Sequence, residues 1–372
     1  MEELTRQKKA YEEQVPNIEI NYTVYPGGEL ITKYTTAMQA GTGPDIIGAH
    51  SYMTPNFIAG GWIAEAPKDV VDDIKDRFYP VCLDGATFRG KVYGYNQHIG
   101  AHLPIANVTI FEELKAKYPE TWDDLIDLAA VVEKKEGGKL VRAVGNFGIQ
   151  GETLFTGWGS MVRSHGGQFL SDDLKTAAFN TEAVRDVTKR WLKLVNPELG
   201  SASDAFGQGK SAVLYLGPWM RPTFQTNYPN LRYKALAVLK GPKAQMGCDY
   251  VWNWLISSKI DDNRKAECWK FSRWLNSTEN QVSMVKASAL IPTTKAAIEH
   301  PDVLKDEWVK VFTEQLANKV QYVSKISNWA EVDKAISDEF ALLGTGAQSI
   351  DDTLKKAEAN VNKLLKESEV YA

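Results

Sequence analysis

The stretch FGQGKSAVLYLGPW, Phe206–Trp219, holds an apolar, β-compatible run that stops at Gly217-Pro218 and then presents Trp219. Glycine and proline together end a strand. The residue they expose is the largest apolar side chain available. On either side the pattern changes period. TEAVRDVTKRWLKLV (Thr181–Val195) reads as a helix, YVWNWLISS (Tyr250–Ser258) as a second strand, and NRKAECWKFSRWLNS (Asn263–Ser277) as the helix after it. Strands alternating with helices predict α/β layers with largely parallel sheets. In such layers ligands bind in the loops that leave the carboxyl ends of strands, and Trp219 stands in a loop of that kind.

The N-terminal third repeats the alternation. MEELTRQKKAYEEQ is a charged helix without the apolar core of a signal peptide. IEINYTVYP (Ile18–Pro26) alternates like a strand, Gly27-Gly28 predicts a turn, and ELITKYTTAMQAG predicts a helix stopped by Gly41. GPDIIGAH is a short strand after a Gly-Pro turn, and Gly90–Phe111 is a long β-rich passage. PETWDDLIDLAAVVEKK is a helix with Thr121 or Asp123 near its cap, and from Asp302 onward the chain is mainly helical.

At 372 residues the chain exceeds what one core fills, so two lobes are expected. A net charge of −4 without any Lys/Arg-rich run argues against nucleic acid, and no apolar stretch reaches the roughly 18 residues of a membrane span. The three cysteines share no metal or redox spacing, and one disulfide is possible among them. No nucleophile elbow, zinc-protease or phosphate-loop motif occurs. His50, His98 and His102 lack an acidic partner at ligand spacing, so they read as hydrogen-bonding groups rather than metal ligands, and no cofactor is expected. A sugar-cleaving site would need two carboxylates, for which Glu152 and Asp249 are the candidates.

Six short motifs in order carry a resemblance: Gly43-Pro44-Asp45-Ile46, GGWIAEA, Gly90-Lys91-Val92-Tyr93-Gly94, ETWDDL, FGQGKSAVLYLGPW and GCDYVWNWLIS. Together they resemble the extracellular solute-binding proteins of family 1, the maltose-binding-protein-like class that serves ABC importers. Asn96 stands where a proline is common, and Cys248 where a small residue is usual. Members of that family begin with a strand ahead of the first helix; this chain starts at the helix, which suggests a trimmed form, a start codon within the gene, or another segment filling the strand's place.

The resemblance implies an α/β, two-lobed periplasmic-binding-protein-like fold (type II) that closes on a ligand between its lobes. One lobe would take residues 1–103 and 257–304, the other 104–256 and 305–372. It further implies no catalysis, a carbohydrate of one to three rings as ligand, ABC permease subunits as partners, a monomer, and a periplasmic or lipid-anchored location. The family's stacking tryptophan maps onto Trp219 and its late aromatic onto Trp329; Trp158 and Trp252 are further candidate platforms. Polar contacts are expected from His50, Tyr52, Asn96, His98 and Asp249. Aromatic faces with neutral amides favour a neutral sugar. Glycerol phosphate or an acidic sugar would want cationic groups, for which Arg163 is the one candidate in the right region.

Overall fold

The computed structural model describes residues 2–25, 27–322 and 325–371. The chain divides into two compact units, Met1–Ile99 with Tyr250–Asp306 and Tyr371–Ala372, and Gly100–Asp249 with Glu307–Val370. The strands used below are, in chain order, β1 (Ile46–His50), β2 (Gly94–Ile99), β3 (Leu103–Asn107), β4 (Val213–Leu216), β5 (Tyr233–Ala235), β6 (Gly247–Asp249), β7 (Val251–Ile256) and β8 (Val320–Tyr322).

The first unit is organised by the sheet β1-β7-β2, antiparallel throughout. Ile47, Ala49 and Leu255 bury one side of it with Leu30, Tyr34 and Met38 of the helix Gly27–Gln39. Gly48 lies where a β-carbon would come 2.6 Å from Trp252 Nε1 and 3.0 Å from the Trp254 ring, so only glycine lets the two indoles pack there. Gly41, at φ +71°, closes the helix Gly27–Gln39 as expected.

In the second unit the sheet is β4-β3-β5, also antiparallel, and β6 pairs in parallel with β8. The helix Gly151–Ser164 is buried along most of its length. It can be so because Gly157 lies under Trp191 and Gly159 under Phe169, each too close to accept a methyl group. Thr121 caps the helix Trp122–Val132 in a reciprocal capping box with Asp124.

Four expectations are corrected. The sheets are not largely parallel: among the described ladders between β1 and β8 only β6–β8 is. A strand that leaves a unit and one that returns to it lie side by side and run opposite ways, as β2 and β7 do. For the same reason β7 belongs to the first unit, although the sequence reading placed residues 104–256 in the second lobe. Ile18–Pro26 forms no strand over its described residues, and Pro26 lies outside them. Its alternation records instead that Ile18, Ile20 and Tyr22 pack beside Tyr11 and Phe271, while Val24 and Tyr25 face solvent. The helix after it starts at Gly27, where a turn was expected.

Candidate functional site

In the second unit the strand β4 ends at Leu216, and the Gly217-Pro218 turn throws Trp219 out at the start of the helix Met220–Asn227. The indole folds back over Gly217, where a β-carbon would lie 2.0 Å from the ring. Trp308 Nε1–H donates to the Pro218 carbonyl at 3.0 Å and pins the turn from behind. Trp219 remains partly exposed, and its ring meets that of His102 edge-on at 5.1 Å.

His102 is held on both sides. Its main-chain N–H donates to Asp249 Oδ2 at 2.5 Å, its Nδ1 lies 3.1 Å from the same oxygen, and its Nε2 lies 3.5 Å from Glu152 Oε1. Asp333 completes the group: Ser337 Oγ donates to Asp333 Oδ1 at 2.9 Å and accepts from Gly151 N–H at 2.8 Å, next to Glu152. A partly open indole thus meets a buried imidazole that in turn faces a partly exposed carboxylate; the indole suits the apolar face of a polar ring and the carboxylate its hydroxyls.

The first unit gathers its own aromatic group around β1 and β7. His50 stacks on Tyr250 at 4.0 Å, meets Trp252 edge-on at 4.3 Å, and pairs through Nδ1 with the Tyr52 hydroxyl at 2.8 Å. His98, opposite Trp252 in the β2–β7 ladder, lies parallel to its indole at 5.8 Å.

The structure therefore brings Trp219 together with His102, Glu152 and Asp249, and brings His50, Tyr52, His98 and Trp252 together with Tyr250. Three expected contact residues are placed elsewhere, and a fourth, Asp249, is in the group but buried. Trp158 has no exposed surface; it sits in the helix Gly151–Ser164, packs on Phe340, and its Nε1–H donates to Thr188 Oγ1 at 3.1 Å. Trp329, 2% exposed at the start of its helix, packs edge-on against Phe155. Asn96 is on a strand rather than in a loop, fully buried, and donates to Asn253 Oδ1 at 2.7 Å. Asp249, 1% exposed, is engaged by His102.

Sequence reasoning passed over the roles of His102, Tyr250, Asp333 and Ser337 in these groups. The last two are one helical turn apart, but nothing in their spacing points to residue 151. Arg163, the possible cation for an anionic ligand, lies over the Phe169 ring at 5.5 Å. Cys82, Cys248 and Cys268 are free and buried, so the possible disulfide is not formed; burial pushes the Cys248 thiol up to about 12.

His102 and His98 titrate in opposite directions. Burial works against a charged His102, but the charge and hydrogen bond of Asp249 and the charge of Glu152 outweigh it and hold the imidazole above its usual range. Its stabilising effect is present below the ordinary histidine range and is lost as pH rises through the elevated value. His98 has no such partner. Its Nδ1 is buried without a hydrogen bond, and burial pushes it down to about 4. The unfolded chain takes up that proton near pH 6.5 while the folded one resists it, so the first unit should lose stability as pH falls from 6.5 toward 4. Urea titrations across that range should show a steep acid limb that flattens in His98→Gln; an unchanged limb would assign the loss to other groups.

A family model described as bacterial extracellular solute-binding protein matches residues 1–282. A putative binding protein of Brucella abortus is 27% identical over 374 residues, covering 96% of this chain and 89% of that one. A maltotriose-binding protein of Pyrococcus abyssi is 20% identical over 309 residues, covering 80% of this chain and 64% of that one. Among solved structures, an ABC substrate-binding protein of Listeria monocytogenes in complex with cycloalternan superposes with a TM-score of 0.86 at 18% identity, over 98% of this chain and 96% of that one. This last likeness bears on the two-unit α/β fold.

Proposed function

The chain belongs to the bacterial extracellular solute-binding protein family, and from that premise we propose that it captures a neutral carbohydrate of one to three rings for an ABC importer. Members of this family are binding proteins rather than enzymes. The observation that carries the ligand class is Trp219, an indole left partly open beside His102 and Glu152. An indole face covers the C–H side of a pyranose, while the Glu152 carboxylate accepts from its hydroxyls. The relative named as a maltotriose-binding protein, and the structural neighbour in complex with cycloalternan, support the same class.

His50, Tyr52, His98 and Trp252 are proposed as the first unit's contribution to binding. Closure of the chain on its ligand, the mode the family resemblance implies, follows from a ligand's differential contacts with the two states. The glycan-cleaving alternative is disfavoured because Asp249, one of its two required carboxylates, is buried against His102. Permease subunits are the proposed partners, with the protein a monomer in the periplasm or held at the surface by a lipid anchor. Among the described residues no helix is long and apolar enough to cross a membrane.

Intrinsic tryptophan fluorescence, titrated with a panel of neutral mono- to trisaccharides, glycerol phosphate and a uronic acid, tests this reading. A saturable change with a neutral sugar in the micromolar range is expected. Saturation by glycerol phosphate or the uronic acid alone would overturn it.

A further inference from the structure

The ladder that ends beside Trp219 also decides what the indole meets. Leu103 of β3 pairs with Leu216 of β4. His102, one residue ahead of β3, therefore falls at the same end of the sheet as Gly217, one residue past β4. The rings of His102 and Trp219 meet there, edge-on at 5.1 Å with 79° between their planes. The imidazole has no exposed surface, so what it does for a ligand passes through the indole.

Residue 102 is in turn held twice by one carboxylate oxygen. Its main-chain N–H donates to Asp249 Oδ2 at 2.5 Å, and its Nδ1 lies 3.1 Å from the same atom. Asp249 is the last residue of β6, and that strand is anchored one residue earlier, where Cys248 N–H donates to Ser160 Oγ at 2.7 Å in the buried helix Gly151–Ser164. A continuous line of contacts thus runs from this helix through Asp249 and His102 to Trp219. The Trp308 hydrogen bond to Pro218 fixes the turn that carries the indole. A partly open side chain still keeps rotamer freedom unless a neighbouring group removes it.

Resting on the carbohydrate reading above, we propose that Asp249 and His102 are positioning residues: the buried carboxylate fixes the main chain and the ring of His102, and that ring holds the Trp219 indole in the orientation a sugar face needs. An anchor ordered before the ligand arrives spares binding the entropy of ordering it. The effect falls on affinity, although neither residue touches the ligand.

The test is a double-mutant cycle on the full chain, read by isothermal titration with the neutral sugar of the panel that binds best. Asp249→Ala should weaken binding about threefold to tenfold, the factor that corresponds to leaving one anchor side chain unordered. Asp249→Asn, which keeps an oxygen for both donors, should recover most of that loss. In a Trp219→Ala background Asp249→Ala should change affinity little, because the group it orders is gone. Near-ultraviolet circular dichroism follows the indole itself. The band that the native chain has and Trp219→Phe lacks should shrink in Asp249→Ala and return in Asp249→Asn. His102→Ala carries the same cycle and the same spectrum if Asp249→Ala fails to fold. No loss of affinity, equal losses with and without Trp219, or an unchanged Trp219 band overturns this inference and leaves the carbohydrate reading standing. A native chain that binds none of the neutral sugars overturns the carbohydrate reading, and the Trp219 band then decides the positioning by itself.

Discussion

Trp219→Ala is expected to weaken binding of the cognate sugar by about thirtyfold or more, since truncating a central aromatic anchor costs roughly 2 kcal/mol or above. The loss should fall mainly on affinity. Trp219 borders a small cluster with Met220 and Phe224 but remains partly open, so its removal opens no deep cavity. Trp219→Phe should recover part of the affinity because a smaller ring still offers a face. Gly217→Ala gives a second line of evidence: its new methyl would lie 2.0 Å from the indole and must push the ring off its place, so it should mimic Trp219→Ala without touching the tryptophan itself. Isothermal titration of the three variants measures all of this. Near-native affinity in Trp219→Ala would remove Trp219 from the site.

Trp158→Ala should behave in the opposite way, costing about 3–5 kcal/mol of stability, as large aromatic truncations in a core do. Its ring lies 4.8 Å from Phe340 and 5.5 Å from Phe169, with no exposed surface, and its N–H is bonded to Thr188. Truncation leaves a void the size of an indole at the centre of the second unit. It also frees Thr188 Oγ1 from a donor, although that hydroxyl still donates to the Val184 carbonyl. Denaturant unfolding should therefore show an earlier transition for the second unit, analysed apart from the first because two units need not unfold as one. A Trp158→Ala protein of native stability that no longer bound sugar would show that the residue touches ligand after all.

These two tryptophans mark how far residue patterns reach. The Gly217-Pro218 break announces that Trp219 leaves its strand at the sheet's end, because the turn chemistry is local and allows little else. Gly41 as a helix stop and Thr121 as a cap are legible for the same reason: each is settled by backbone groups within four residues. The alternation of strand and helix, with the ordered motifs from Gly43 to Trp254, likewise carried the α/β class.

What the chain could not reveal locally was which side of an element faces inward. Trp158 and Trp329 are near Gly and Asn respectively, much as a loop platform would be, yet both point into the second unit's core because the helices that carry them pack there. Asn96 and His98 lie two residues apart across a bulge, so one meets Asn253 in the interior and the other meets Trp252. Strand direction was likewise decided by where the chain leaves and re-enters each unit. The contacts that build the site join distant positions, His102 and Asp249 being 147 positions apart and Gly151 and Ser337 186. Periodicity and spacing act over a few residues. Only the folded chain brings together groups so far apart, and burial then sets the charge that each one carries.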